Sequence, residues 1–280
     1  MRSCTYLSIC WSITFLLLSC KGYTQTHIMD SIAAQMNHQD YGGALRVINT
    51  EINAGRASNL LVLQKAICEL DLGQPDSSVS TVNRIMPDIS ESDSLYERFL
   101  LIRSLGYDAI TDIESAIADN EALCHLRPEK LEYEVGLARL YDENGQPARC
   151  INLLLEVYAR DTNNIPAILS LSYFYGEREN FEVAARFAAH GQKLAKDSTI
   201  ISAFLNNLGY AQAMSVSEAE GLASIQRSLA YYPSNAFAYY NLGRIALRNH
   251  NRDTACMNFR RAKELGAVHL SAALFKANCE

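Results

Sequence analysis

Apolar residues follow two different patterns along the chain. Residues 7–19 form a nearly continuous apolar run, in a segment where Arg2 is the only charge before Lys21. From Gln25 onward, small and apolar residues recur in blocks of 34 to 38 residues, each long enough for two short helices. The first pattern predicts a targeting segment, and the second predicts a series of helix pairs.

The last block shows the repeat most clearly. It starts at Ala236 and has characteristic residues at its fourth, seventh, eighth, eleventh, twentieth, twenty-fourth and twenty-seventh places: Tyr239, Leu242, Gly243, Ala246, Ala255, Phe259 and Ala262. This spacing resembles the tetratricopeptide repeat, a helix-turn-helix unit of about 34 residues, although Ala246 stands where that repeat usually has Tyr. The same frame predicts seven units, which start at Gln25, Asn59, Glu97, Leu131, Ile165, Ser202 and Ala236.

The twentieth place tests this frame, because the two helices of a unit cross there and only a small side chain fits. All seven residues at that place are small: Ala44, Ser78, Ala116, Cys150, Ala184, Gly221 and Ala255. At the eighth place, the other side of the crossing, only the first unit departs from the pattern, with Ile32. The frame is therefore consistent at the positions where packing constrains it most.

Turn-forming residues predict the ends of the helices. Gly73 and Gly145 are each followed two residues later by Pro, so that Gly ends one helix and Pro begins the next. Extra residues between units fall near residues 90–93 and 197–199, where Ser and Asp favour turns. Apolar residues at helical spacing in 268–276 predict a capping helix within residues 267–280.

The resemblance implies an all-α fold, a right-handed α-solenoid of about seven units over residues 25–266 with the capping helix at its end. The first helix of each unit (helix A) would line a concave groove, and the second (helix B) would lie outside it. The second, fifth, ninth and twelfth residues of helix A share one helical stripe and face the groove. These places and the sixth give eight candidate peptide-binding residues: Arg139, Tyr173, Asn206, Asn207, Tyr210, Tyr240, Asn241 and Arg244.

Several of these residues have a second interpretation. Asn207 and Asn241 stand where some tetratricopeptide clamps use Asn to hold a peptide main chain, but Asn is also the ordinary consensus there. Tyr173 and Tyr210 suit either a ligand or packing against a neighbouring helix. The Lys and Arg set of chaperone-binding repeats is absent, with Ala203 and Phe237 at second places, so that specificity is not expected.

The N-terminal run predicts an export signal over residues 1–24. Its apolar part of about 13 residues is long enough for such a signal and shorter than the roughly 20 needed to span a bilayer. Two processing routes remain open. Leu17–Cys20 resembles a bacterial lipobox, in which Cys20 would be lipidated, whereas ordinary signal-peptidase cleavage would fall after Thr24. The stretch after Leu18 resembles the signal ends of Bacteroidetes envelope proteins.

Composition narrows the choice of partner. Hydrophobic residues at 49% and charged residues at 20% are ordinary for a globular protein, and a net charge of −6 without a basic run disfavours nucleic acid as a partner.

Five cysteines lie beyond the predicted signal: Cys68, Cys124, Cys150, Cys256 and Cys279. Because their number is odd and no CxxC motif occurs, they predict neither a zinc site nor a disulfide framework. A single disulfide between two of them stays open.

Motifs of catalysis are absent from the sequence. The six histidines form no HExxH, and no P-loop, GxSxG or GxGxxG occurs. Cys124 and His125 are adjacent, so on a helix they point about 100° apart and cannot act as nucleophile and base. Acidic pairs such as Asp142 and Glu143 are interpreted as solvated faces. The sequence predicts no catalytic residue, metal or cofactor.

Together these features predict an exported, non-catalytic interaction scaffold of the bacterial cell envelope, in the periplasm or at the outer membrane, that binds a protein or peptide in its groove. It would contact the membrane only through an anchor at Cys20. The alternative is a permanent structural subunit of an envelope secretion, motility or nutrient-uptake complex, which a large apolar patch on the outer face would favour.

Overall fold

The computed structural model describes residues 23–280, with side chains for residues 27–267 and 274–280. The predicted signal up to residue 22, with the lipobox Leu17–Cys20, lies outside the described residues. Within them the chain forms fifteen α-helices and no strand. They are α1 (Tyr23–Asn37), α2 (Tyr41–Asn53), α3 (Asn59–Asp71), α4 (Pro75–Ile85), α5 (Tyr96–Ala109), α6 (Ile113–Leu126), α7 (Leu131–Glu143), α8 (Pro147–Arg160), α9 (Ile165–Glu177), α10 (Phe181–Leu194), α11 (Ser198–Ser215), α12 (Glu218–Tyr231), α13 (Ala236–Arg248), α14 (Arg252–Glu264) and α15 (Val268–Cys279).

The chain divides into two compact units between Pro87 and Asp88. The first contains α1–α4, and each helix packs against the next in the chain. The second contains α5–α15, with the same sequential packing. In this second unit α11 also packs against both α9 and α13, so that three successive A helices lie side by side.

Most of the predicted repeat starts coincide with the starts of helices or lie close to them. Four A helices begin at the predicted residues, which are Asn59, Leu131, Ile165 and Ala236. The helix of the sixth repeat, α11, instead begins at Ser198, four residues before Ser202. The carboxylate of Asp197 accepts hydrogen bonds from the main-chain N–H groups of Thr199 and Ile200, which starts the helix early. Residues 198 and 199, expected in a turn, therefore belong to α11.

The crossing of the two helices within each repeat is closely packed. The residues at all seven twentieth places are buried. In the second repeat the hydroxyl of Ser78 donates to the carbonyl of Ala66, at 2.7 Å, so a side chain on α4 bonds directly to the main chain of α3. In the sixth repeat, a Cβ on Gly221 would lie 2.5 Å from the carbonyl oxygen of Gly209. The helices there approach too closely for any side chain.

The turn from helix A to helix B contains, in most repeats, one residue in the left-handed backbone conformation. Gly73 and Gly145 have φ of +71° and +69°, as the Gly-x-Pro spacing predicts, and Pro75 and Pro147 begin the next helices. Other repeats place a non-glycine residue there at some conformational cost: Gln39, Thr111, Glu179 and His250. Asp40, Asp112 and Asn251 then cap the following helices with their side chains.

The C-terminal helix α15 is joined covalently to the helix before it. Cys256 on α14 and Cys279 on α15 form a disulfide, with their Cα atoms 5.6 Å apart. Leu274 and Phe275 pack against the apolar cluster of the last repeat. The single cysteine pair that the sequence left open is therefore between α14 and α15.

The remaining three cysteines are thiols. Cys68 and Cys150 are fully buried and Cys124 is half-buried. Burial raises the pKa of each thiol to about 12, which keeps it protonated and unreactive near neutral pH. His125, beside Cys124, is exposed.

Candidate functional site

The predicted groove residues lie on α7, α9, α11 and α13, the A helices of the fourth to seventh repeats. All belong to the second compact unit. They differ widely in exposure, and this difference determines which of them a partner can reach.

Arg244 is the centre of one cluster. Its guanidinium carbon lies 4.3 Å from the centroid of the Tyr210 ring and 5.4 Å from that of Tyr240. Its Nη1 donates to Oε1 of Glu177 on α9, so an arginine of the seventh repeat reaches a carboxylate of the fifth. The ion pair and the ring contacts therefore already engage the guanidinium of this candidate peptide-binding residue.

The two tyrosines beneath Arg244 are part of the protein interior. Tyr210 is 5% exposed and Tyr240 is 8% exposed. The Tyr210 ring also meets Phe181 edge-on at 6.0 Å, and burial raises the pKa of Tyr210 to about 12. Of the two interpretations of Tyr210, its contacts in this structure are those of packing. A direct contact between Tyr210 and a ligand stays a prediction.

The asparagines form a chain of hydrogen bonds across three A helices. Nδ2 of Asn241 donates to Oδ1 of Asn206 at 3.1 Å, and Nδ2 of Asn206 donates to Oδ1 of Asn207 at 3.3 Å. Nδ2 of Asn207 in turn donates to the hydroxyl of Ser172 at 2.8 Å. Asn206 and Asn241 are buried and Asn207 is half-buried. These amides join neighbouring helices, which satisfies much of their hydrogen-bonding capacity internally.

Arg139 is the most exposed of the eight residues. About 48% of its side chain is accessible. Its Nη2 donates to Oδ2 of Asp108 at 2.8 Å, and its Nη1 donates to Glu143. Both arginines of the predicted groove therefore form ion pairs with carboxylates of the same chain.

An open cavity of about 370 Å³ lies between α7 and α9. It is lined by Asp142, Tyr173, Phe174, Glu177 and Arg178. Asp142 and Tyr173 occupy the twelfth and ninth places of their repeats, which are positions of the predicted stripe. Glu177 and Arg178 lie at the end of α9, beyond the stripe, and the repeat frame therefore could not assign them to the groove.

Asp142 and Arg178, two charged residues that line this cavity, form no ion pair with each other in the described part of the chain. Burial raises the pKa of Asp142, while nearby Arg178 opposes that shift. The guanidinium of Arg178 donates instead to the carbonyl of Phe174, and its central carbon lies 5.6 Å from the centroid of that ring. Asp142, interpreted from sequence as part of a solvated face, is in fact half-buried in this cavity.

Among residues with described placement, no three His, Cys, Asp or Glu side chains are grouped to hold a metal ion. None of the described helices combines the length and apolar character that crossing a membrane requires.

Comparison with solved structures places the chain among known folds. It is similar to a tetratricopeptide repeat protein from Parabacteroides merdae, with 15% sequence identity, 92% of this chain and 100% of that chain covered, and a TM-score of 0.74. It is also similar to the C-terminal part of a TPR repeat-containing protein from Cytophaga hutchinsonii, with 11% identity, 88% and 98% coverage, and a TM-score of 0.62. No protein-family profile matches the chain, and no curated protein sequence matches it.

The chain is therefore a tetratricopeptide-repeat protein in its fold, an all-α solenoid of helix pairs. This confirms the fold that the repeat spacing predicted.

Proposed function

We propose that this chain is a non-catalytic interaction scaffold that captures a peptide or partner segment on the A helices of its fourth to seventh repeats. The observation that carries the proposal is the cavity between α7 and α9, which combines an aromatic wall with a carboxylate and a guanidinium that are not paired together. Its volume of about 370 Å³ is near the lower end of ligand sites, enough for one or two side chains of a bound segment.

The candidate residues then have two different roles. Tyr173, Asp142 and Arg178 line the cavity and would contact the partner, because they are accessible from it. Tyr210, Tyr240, Arg244 and the three asparagines would hold the A helices α9, α11 and α13 in position relative to one another. Rigid support of this kind favours affinity, since little conformational freedom is lost on binding.

Export to the bacterial envelope is part of the same proposal. Its support is the apolar segment of residues 7–19 and the disulfide between Cys256 and Cys279, because disulfides form and persist mainly in oxidising compartments. Lipidation at Cys20 would add a membrane anchor, and one acyl-modified terminus with several chains is sufficient for stable attachment.

A structural subunit remains the second candidate, and exposed apolar residues on helix B favour it. Tyr231 at the end of α12 and Tyr232 directly after it are 48% and 41% exposed, and Met257 on α14 is 61% exposed. Large apolar side chains in solvent are typical of permanent contacts when they lie close together. Such a subunit would dock through its B helices rather than through the cavity.

Site-specific photo-crosslinking separates these candidates. The full-length chain would carry a photoreactive phenylalanine analogue either in place of Tyr173, in the cavity, or in place of Tyr231, the exposed tyrosine on helix B. We expect a discrete partner adduct from position 173 in intact cells, and a weaker adduct when Asp142→Asn and Arg178→Gln are added. An adduct from position 231 alone would favour the structural subunit, and adducts from neither position would contradict a stable partner.

The anchor requires its own experiment. Cys20→Ala is expected to abolish acyl labelling and to move the protein to the soluble fraction, whereas Cys10→Ala, within the apolar run, should change neither. Unchanged labelling of the Cys20→Ala variant would contradict the lipidation site. Soluble, exported wild-type protein would support cleavage after Thr24 instead.

A further inference from the structure

A second cavity lies between the B helices α8 and α10. It has a volume of about 240 Å³ and is lined by Tyr158, Arg186, Phe187 and His190. Nothing in the repeat pattern assigns a function to these residues, which occupy ordinary positions of helix B.

The wall of this cavity is an ordered aromatic cluster. The rings of Tyr158 and Phe187 meet edge to face, with centroids 5.2 Å apart. Behind them, Phe187 stacks on Tyr175 at 5.8 Å with an angle of 9° between the ring planes. All three rings are only partly buried and pack against the main apolar cluster. The wall is therefore apolar and held in place from behind.

Hydrogen-bond donors surround the opening. Arg186 is exposed, and in the described part of the chain its guanidinium has neither an ion pair nor a side-chain hydrogen bond. Nδ1 of His190 lies 3.4 Å from the hydroxyl of Tyr158. This contact leaves Nε2 of the same ring without a partner among the described residues. The guanidinium can donate to an acceptor group at the opening, and so can either the imidazole or the phenol, because their mutual contact uses one of the two protons that a neutral ring and a phenol have between them.

Negative charge is scarce at this opening. None of the four lining residues is acidic. Glu182 precedes Arg186 by one helical turn on α10, but no ion pair joins them within the described residues. Lys193 follows His190 by about one turn and adds a second cation to the same helix. The cavity therefore favours an anion.

We propose that the cavity between α8 and α10 binds a carboxylate attached to an apolar group. The fork of Arg186 matches the two oxygens of a carboxylate, and the rings of Tyr158 and Phe187 would contact the apolar group. The volume is below the usual range of small-molecule sites, so one amino-acid-sized group fits and a nucleotide does not. A compact inorganic anion would leave the aromatic wall unused.

Two sources could supply this chemistry: a partner protein with an apolar C-terminal residue, or a free aromatic acid. Both present the same group to Arg186. The site is independent of the proposed groove function, because it lies on different helices and shares no residue with the cavity between α7 and α9.

Nuclear magnetic resonance of the histidine rings tests the proposal directly. The probe is N-acetylphenylalanine, and its matched control is the uncharged N-acetylphenylalanine amide. We expect the acid to shift the His190 ring signals in a saturable way, with the amide binding at least about tenfold more weakly because it lacks the charge. The His190 signals are identified as those lost in His190→Gln.

Variants show which residues carry the effect. Arg186→Gln is expected to abolish the saturable shift, while Arg227→Gln, which removes an exposed arginine from α12, should leave it unchanged. Circular dichroism of both variants should equal that of the wild type, since neither residue is buried. Equal binding of acid and amide, binding that survives Arg186→Gln, or no saturable shift at millimolar probe would each overturn the proposal.

The two sources are then distinguished by size. An acetylated tripeptide ending in Phe and free 3-phenylpropionate are compared in the same titration. Tighter binding of the peptide would support a partner's C-terminus, and tighter binding of the free acid would support a small metabolite. Either result supports carboxylate recognition.

Discussion

The fourth and sixth repeats share one frame but place different residues at three equivalent positions. The eighth, ninth and twentieth places are Ala138, Arg139 and Cys150 in the fourth repeat, and Gly209, Tyr210 and Gly221 in the sixth. In the fourth repeat the ninth residue extends into solvent and pairs with Asp108 and Glu143. In the sixth it is 5% exposed and forms part of the core.

The difference arises from the neighbouring repeats, not from the position itself. Arg244 of the seventh repeat extends over the Tyr210 ring and pairs with Glu177 of the fifth, which covers the ninth place of the sixth repeat. The equivalent residue of the repeat after Arg139 is Tyr173, which lines an open cavity. The contacts of Arg139 in the described part of the chain are with Asp108 and Glu143. A position in the repeat therefore sets the direction of a side chain, while neighbouring side chains set its accessibility.

Tyr210→Ala is expected to have the largest effect on stability. It removes a buried ring that contacts both Arg244 and Phe181, so the free energy of unfolding should fall by about 3 kcal/mol or more. Arg139→Ala, at the same place of the fourth repeat, removes only surface pairs and should cost less than about 1 kcal/mol. Urea unfolding followed by circular dichroism measures both changes.

If the two variants lose similar stability, the contrast between the repeats does not hold. The ninth place of the sixth repeat would then be accessible in solution, and Tyr210 would regain its role as a direct ligand contact. A stable Tyr210→Ala variant with weakened partner binding would support that role.

Much of the fold could be predicted from sequence because the repeat constrains backbone contacts. The small residues at the crossing and the Gly-x-Pro turns are required wherever two helices pack closely, so they recur at fixed spacing. Ser198 shows the limit. A helix start depends on whether a capping side chain such as Asp197 turns toward the free N–H groups, and the spacing of apolar residues does not contain that information.

The candidate site was less predictable because exposure depends on contacts between repeats. Arg244 and Glu177 are 67 residues apart, and no local pattern indicates that they pair. The same holds for Asn206 and Asn241, whose amides bond across helices. Arg178 and Glu177 line the cavity from the end of α9, where the stripe of the repeat no longer applies.

Gly221→Ala should have the next largest effect. Its Cβ would lie 2.4 Å from the main-chain nitrogen of Ala213 and 2.5 Å from the carbonyl oxygen of Gly209, and neither atom can move without displacing a helix. We expect a loss of about 1–3 kcal/mol, against the small gain that Ala normally gives within a helix.

Gly136→Ala in the fourth repeat is the matched control for this prediction. The nearest atom of a neighbouring helix to its Cβ would be Oδ1 of Asn120, at 3.4 Å, and no main-chain atom of another described helix lies within 4 Å. Thermal unfolding should show a lower midpoint for Gly221→Ala and an unchanged or slightly higher one for Gly136→Ala. Equal midpoints would mean that the helices of the sixth repeat do not cross as closely as the structure indicates.

The smallest expected effect is the coupling between Arg244 and Glu177, measured by a double-mutant cycle with Arg244→Gln and Glu177→Gln. Their side chains are 21% and 31% exposed, so the coupling should be about 1 kcal/mol and should persist at high salt. The same cycle for Arg139 and Asp108 should give less than about 0.5 kcal/mol, because the arginine is 48% exposed and salt screens its charge more.

Equal coupling energies with equal salt dependence would show that Arg244 is as solvated as Arg139. In that case Arg244 would be free to meet a partner's carboxylate, and the binding surface would extend from the cavity across the sixth and seventh repeats.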